Sequence, residues 1–399
     1  MIMSVLLSDH FPSTSVSARR VKVLVYSVKD WFKVEPLWAK LADSSPYSSF
    51  YLSADWTAAW IETFGNLLQP DILVFEEEAV AVGACLLVKS TERRGPFHVR
   101  RVYLNTGGED LGDRSAMEFN SVLCRAGCEQ GIAETLGAYL RTLEWDEFTV
   151  EGICPGPVVS WLQTNAFPEL PASITVRPSF YVDLDRLRQF NISLESSLSP
   201  NTRQQLLRSL RLYGKQGAIR TEVARDLPRA EEFFDEMTQL HRITWKARGE
   251  PGAFASARRL AFHRVLIRRA FARGAIQMLR VTVGDETVGI LYNFIQKGKV
   301  YFFQSGFNYS PNKHLKPGLV THTCAIQHCL EQGFDDYDFL AGEARYKRSF
   351  ANDCRPLAWV VFARPSIKLA LIEFLRALKR RVNSRARKHA SRASMPKEL

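Results

Sequence analysis

Between residues 276 and 307 three apolar stretches, "IQMLRVTV", "ETVGILYNFIQ" and "KVYFFQSGF", follow one another with no room for a helix between them. Such spacing reads as hairpin-connected strands. Two helical stretches precede the run, "PRAEEFFDEMTQLHRITWKARG" and "SARRLAFHRVLIRRAFARG". A helix, "LVTHTCAIQHCLEQG", and the strands "DDYDFL" and "PLAWVVFA" follow it. The first half repeats this order. After the strand "VKVLVYSV" come helices in "EPLWAKLAD" and "SADWTAAWIETFG", then the strands "DILVFEE", "VAVGACLLVKS" and "HVRRVYLN". A helix over "NSVLCRAGCEQGIAETLGAYLRTL" and the strand "EFTVEGI" close it. Strict βαβ alternation and a G-x-G-x-x-G turn are both missing, which excludes a dinucleotide-binding sheet. The order predicts an α/β (α+β) chain of two related modules, each a mixed, largely antiparallel sheet flanked by helices.

The net charge of +11 is concentrated at one end. Residues 376–399 hold nine Lys/Arg and one Glu, so the other 375 residues carry only +3. A near-neutral body gives no basis for specific nucleic-acid binding. Seven scattered cysteines fit a reducing cytoplasm better than a disulfide framework. No apolar run reaches the roughly 18–20 residues of a membrane span. The start, "MIMSVLLSDHFPSTSVSARR", has no basic residue ahead of its short apolar patch and reads as a mobile extension rather than a secretory signal. Metal and nucleophile motifs are absent: Cys124/Cys128 and Cys324/His328 lack a second pair, and there is neither a G-x-S-x-G elbow nor a GK[ST] loop.

The stretch "DFLAGEARYKRSFA" (338–351) places Glu343, Tyr346 and Lys347 just beyond a strand and beside Gly342. Side chains at strand carboxyl ends are where α/β sheets hold ligands. A turn with solvated side chains is the alternative.

Taken in order, "LHRITW", "PGAFAS", "VYFFQSGF", "KPGLV" and "DYDFLAGEARYKRSFA" resemble the GNAT-type acyltransferases of the CelD-like family, which is related to the FemAB-type aminoacyl transferases. The likeness is firmest over residues 195–365. It implies tandem GNAT-like modules: a mobile extension (1–20), a degenerate module (21–155), a connecting segment (156–194), the acyltransferase module (195–365), and an amphipathic helix with a basic tail (366–399). It also implies an acyl-CoA donor, acetyl-CoA foremost, no metal, and an amine acceptor on a sugar, lipid precursor or small metabolite, in exopolysaccharide or cell-envelope biosynthesis. An aminoacyl-tRNA donor, or a catalytically silent binding component, stays open beside it.

Acyl transfer from a thioester to an amine needs a base, an oxyanion donor and a proton for the departing thiolate. Glu343 is the expected base, Tyr346 the proton source, and Lys347 a partner of Glu343 or of an acceptor anion. Lys313, His314 and Lys316 precede a helix start near Gly318, where free N–H groups and the dipole suit phosphate; only one glycine of the usual signature is kept there. Ser305, Tyr301 and Gln304 line the strand expected to offer an unpaired amide. Trp245 and His241, one turn apart, together with Asp338 and Arg203, are the expected acceptor contacts. Packing of their helix against the sheet explains Trp245 and His241 equally well, and a carboxylate at a sheet edge is the alternative for Asp338.

Downstream, Ile367, Ala370, Leu371, Phe374, Leu375, Leu378 and Val382 fall on one helical face, followed by the basic run. Such a helix either packs on the body or lies on an anionic membrane. The expected location is cytoplasmic, peripheral to the inner membrane face.

Overall fold

The computed structural model describes residues 21–154 and 160–377. Its first half contains β1 (Lys22–Tyr26), α1 (Trp31–Ser44), α2 (Ala54–Trp60), β2 (Asp71–Glu77), β3 (Val80–Arg94), β4 (Phe97–Leu104), the two-residue β5 (Leu123–Cys124), α3 (Glu129–Thr142) and β6 (Glu147–Ile153). Next come β7 (Ala172–Asp183), α4 (Leu184–Gln189), α5 (Leu194–Ser197), α6 (Pro200–Gly214), β8 (Ile219–Val223), α7 (Leu227–Ala247) and α8 (Ala257–Ala270). The chain then runs through β9 (Ile276–Val283), β10 (Glu286–Gln296), β11 (Lys299–Phe307), α9 (Pro317–Glu331), β12 (Asp336–Ala341), α10 (Arg345–Phe350) and β13 (Asp353–Ala363).

The helix expected from residue 120 begins only at Glu129. Leu123 and Cys124 pair instead with Ala84 and Gly83 of β3. Segment 156–194, expected only to connect, carries β7. Its exposed Ile174 and Val176 and its internal Pro178 hide the alternation that marks a strand.

Among the described residues thirteen strands form one sheet, ordered β1-β2-β3-β4-β6-β13-β7-β12-β11-β10-β9-β8, with β5 on β3. The halves exchange strands at the centre. β7, which follows the first half, lies between β12 and β13, and β13, which ends the second half, reaches across to pair with β6. One face of the sheet carries a core common to both halves, in which Trp56 of α2 meets Phe50 and Tyr51 on one side and Phe262 and Phe294 on the other. The opposite face has two separate cores, one under α3 and one under α6 and α9.

Two local features aim the strands of the second half. Lys297 and Gly298 take positive φ, 47° and 75°, as a two-residue turn between twisted antiparallel strands requires. Gly306 lets α7 lie directly on β11, since a Cβ there would sit 2.4 Å from the Met237 carbonyl oxygen.

Residues 367–377 form a helix beyond β13. It is held by buried Ile372 and by Lys368, whose Nζ donates to the His98 carbonyl at 3.0 Å and to Asp146 Oδ2 at 2.5 Å. The face read as apolar turns outward: Ile367, Leu371, Phe374 and Leu375 are exposed. Leu378, Val382, the basic run beyond them and the extension 1–20 lie outside the described residues. No helix among the described residues is long and apolar enough to cross a membrane.

Candidate active site

β11 and β12 run parallel for three pairs, the last being Tyr301 with Asp338, and then part. The register of β10 and β11 shifts between Tyr292 and Asn293, leaving Phe303 without an opposite residue. β12 bulges between Asp338 and Ala341, with Leu340 at φ +62°. The backbone of β11 beyond Tyr301 therefore borders a cleft of about 1040 Å³ instead of a neighbouring strand.

At one end of the cleft α9 begins, with Lys316 as N-cap and Pro317 in the first turn. The N–H groups of Gly318 and Leu319 take no partner among the described residues. Lys313 and Lys316 line the same wall. The Lys316 amide donates to Ser209 Oγ at 2.9 Å, fastening this turn to α6. Free amides, the positive end of the helix dipole and two cations together suit a phosphate group. His314 does not join them. It is exposed, outside the cleft wall, and its amide donates to Asn312 Oδ1 at 3.0 Å to shape the loop.

At the other end Glu118 enters from the first half, on the loop between β4 and β5. Its Oε2 accepts a hydrogen bond from the Ala341 amide at 2.6 Å. Burial pushes the carboxyl up to about 7, against the lowering effect of that amide and of the Lys347 charge. The side chain lies deep among protein atoms yet keeps part of its surface open to the cleft. Tyr51 of the first half and Trp245, Arg248 and Arg259 of the second line the same cleft.

The cluster that follows β12 divides. Tyr346 lines the cleft, its ring stacked on His322 with centroids 5.6 Å apart. Burial pushes its phenol up, so the hydroxyl keeps its proton at neutral pH. His322 is held to about 3 by burial and by the Lys347 charge, so it is neutral. Lys347 reaches the cleft too, but its Nζ donates to the Leu340 carbonyl at 3.0 Å and the Ala341 carbonyl at 2.7 Å. It braces the bulged end of β12 and does not pair with Glu343. Glu343 turns away: its side chain is 69% exposed, outside the cleft wall, and 3.4 Å from Arg348. The structure therefore does not bring Glu343, the expected base, to the cleft.

The remaining expected contacts sort by depth. Ser305, Gln304, His241 and Trp245 line the cleft. His241 has both nitrogens engaged, with Nδ1 on the Ser305 carbonyl and Nε2 accepting from the Ala253 amide, each at 3.1 Å. It fixes β11 against α7 and has no free nitrogen for a substrate. Tyr301 and Asp338 lie behind the wall, not in it. Asp338 accepts from Ser179 Oγ at 2.6 Å and from the Leu340 amide at 2.7 Å. Burial holds its carboxyl up despite Arg355 at 3.6 Å. Its place is the sheet interior between β7 and β11, not an edge. Arg203 is likewise not an acceptor contact. Its guanidinium is spent on the carbonyls of Glu195, Ser196 and Leu198, while Asn201, Thr202 and Gln205 around it face the cleft.

Among the described residues no group of three or more His, Cys, Asp or Glu is placed to hold a metal ion. Residues 200–348 match the family model described as an acetyltransferase (GNAT) domain. Among solved structures, FemX is similar with a TM-score of 0.55 at 9% identity, over 82% of this chain and 95% of that one. At that identity the likeness is one of fold, and it extends across both halves. L-PGS from Bacillus licheniformis has a TM-score of 0.47 at 12% identity, over 80% of this chain and 95% of that one. A tandem GNAT protein from the clavulanic acid biosynthesis pathway has a TM-score of 0.43 at 11% identity, over 87% of this chain and 100% of that one. No curated protein sequence matches the chain.

Proposed function

We propose that the chain is an N-acyltransferase that moves an acyl group from acyl-CoA, acetyl-CoA foremost, to an amine. One observation carries the reading: the parting of β11 and β12 opens a cleft that joins the phosphate-suited start of α9 to Glu118. In this reading the α9 turn, with Lys313 and Lys316, takes the donor's phosphates, and backbone N–H of β11 beyond Tyr301 faces the thioester carbonyl. Glu118 withdraws the proton of the incoming ammonium. The amine nitrogen then bonds to the carbonyl carbon, the carbon–sulfur bond breaks, the Tyr346 hydroxyl protonates the departing thiolate, and the second proton released by the nitrogen restores the Tyr346 phenol. Lys347 is a positioning residue that holds the Leu340 and Ala341 carbonyls. The resemblance to the CelD-like family points to exopolysaccharide or cell-envelope biosynthesis as the setting. The FemX-like fold favours a second reading, an aminoacyl-tRNA donor.

The membrane is the proposed site of attachment. Ile367, Leu371, Phe374 and Leu375 project from the last described helix. The sequence from residue 376 onward carries nine Lys/Arg against one Glu, which complements an anionic surface.

Calorimetric titration with acetyl-CoA tests the donor. Binding is expected in the wild type and weakened roughly tenfold or more when Lys313 and Lys316 are both changed to Ala, as two lost charge-assisted contacts imply. No binding of acetyl-CoA or longer acyl-CoAs removes this donor class and leaves the aminoacyl-tRNA reading or a silent binding component.

A further inference from the structure

Helix α8 carries five arginines, and four have a carboxylate. Arg258 meets Asp113 at 2.8 Å, Arg264 meets Asp235 at 2.6 Å, Arg268 meets Glu231 at 3.0 Å, and Arg269 meets Glu35. Arg259 is the one of the five that lines the cleft, and it has no side-chain hydrogen bond or ion pair among the described residues. Its Nε is buried and unmet. The carboxylates near enough to be felt are committed elsewhere. Glu109 accepts from Trp60 Nε1 and from Ser115 Oγ, and Asp113 holds Arg258 and Ser256. Burial accordingly depresses the guanidinium.

A partly desolvated cation without a counter-ion is costly to keep. Four paired neighbours show that the helix is able to supply partners. The unpaired one lines the cleft, as does Arg248, which lies over Trp245 with 5.3 Å to the ring centroid.

We propose that Arg259 receives an anionic group, carboxylate or phosphate, on the acceptor, so that the acceptor class is an amine that also bears a negative charge. This rests on the acyltransfer reading for the word acceptor, but the anion site itself is tested without turnover. A guanidinium binds either oxyanion through paired N–H donors. The same anion would hold the amine at a fixed distance from Glu118, making Arg259 a specificity determinant.

The test is calorimetric titration of the full chain with glutamate, glucosamine 6-phosphate and neutral glucosamine, each with and without saturating acetyl-CoA. The expected result is binding of at least one anionic probe and not of glucosamine. Glutamate and glucosamine 6-phosphate separate the carboxylate source from the phosphate source. Arg259→Gln is expected to weaken the anionic probe by roughly 10- to 100-fold, the worth of hydrogen bonds to a charged group, and Arg259→Lys by less. Because the wild-type cation is unpaired, Arg259→Gln is expected to leave Tm unchanged or raise it; a purely structural arginine would lower it. Arg259→Lys serves as the second variant if Arg259→Gln does not fold. Equal binding of glucosamine and the anionic probes, no binding of any, or undiminished binding in both variants overturns the inference. So does a loss of acetyl-CoA affinity in Arg259→Gln, which would give the arginine to the donor. Failure of wild-type protein to bind acetyl-CoA, with anionic probes still bound through Arg259, would sink the donor assignment alone.

Discussion

The sheet parts twice, once in each half, and the two openings have opposite contents. In the first half β4 and β6 run parallel for three pairs, ending at Tyr103 with Thr149, as β11 and β12 do in the second. There the chain fills its own gap. Asn105 Nδ2 donates to Asn120 Oδ1 at 2.7 Å and to the Ser121 carbonyl at 2.6 Å, while its Oδ1 accepts from the Leu86 amide at 3.0 Å. Asn120 Nδ2 in turn donates to the Leu104 carbonyl at 3.1 Å. The gap between β11 and β12 keeps no such plug. The two openings thus differ in what fills them. The loop that closes the first opening is the one that carries Glu118 across to the second. One half gives up a cleft of its own and completes its neighbour's.

Separating the halves is expected to have the largest effect. A fragment of residues 195–365 loses β7 from between β12 and β13 and half of the shared aromatic core. It is expected to show no cooperative thermal transition by circular dichroism, where the full chain does. Trp56→Ala attacks the same seam from inside. Trp56 is fully buried with ring partners from both halves, and its loss is expected to cost about 3–5 kcal/mol in denaturant unfolding. Asn105→Ala unplugs the first opening. It leaves the Leu86 amide and the Asn120 and Ser121 oxygens unmet, in a residue whose φ of +61° Asn tolerates better than Ala. About 3 kcal/mol of stability is expected to go, toward the upper end for unmet buried partners, with acetyl-CoA affinity unchanged. If affinity falls with it, the two openings are coupled and not divided in labour.

Much of this frame is legible in the sequence because hairpin runs and amphipathic helices are local patterns. β9, β10 and β11 follow the quoted stretches, and α9 begins after "NKHLK" as its Pro-Gly start predicts. β7 is not legible, since its pairing partners lie far along the chain and Pro178 interrupts its pattern. The site divides in the same way. Lys313, Lys316, Gly318 and Tyr346 line the cleft because they sit on local features: a helix start and a strand end. Glu343 shares that locality but points to solvent. Glu118 meets Ala341 across 223 positions of sequence, and no spacing rule reaches that far. A carboxylate with no local partner in the loop before "FNSVL" is the one sign it offers. The arginines of "ARRLAFHRVLIRR" look alike in sequence, and only their partners in space single out Arg259.

In the proposed reaction the first half lends the second its base. The measurement is the pH dependence of thiol release from acetyl-CoA in the presence of a panel of anionic primary amines, for wild type and Glu118→Gln. A carboxyl raised to about 7 is ionised only above that pH, so the wild-type rate is expected to rise through about pH 7 and level off above it. Glu118→Gln is expected to lose that limb and to fall by roughly 10²- to 10⁴-fold with KM little changed. A Glu118→Gln enzyme with the wild-type rate and the same rising limb would show that Glu118 is not the base.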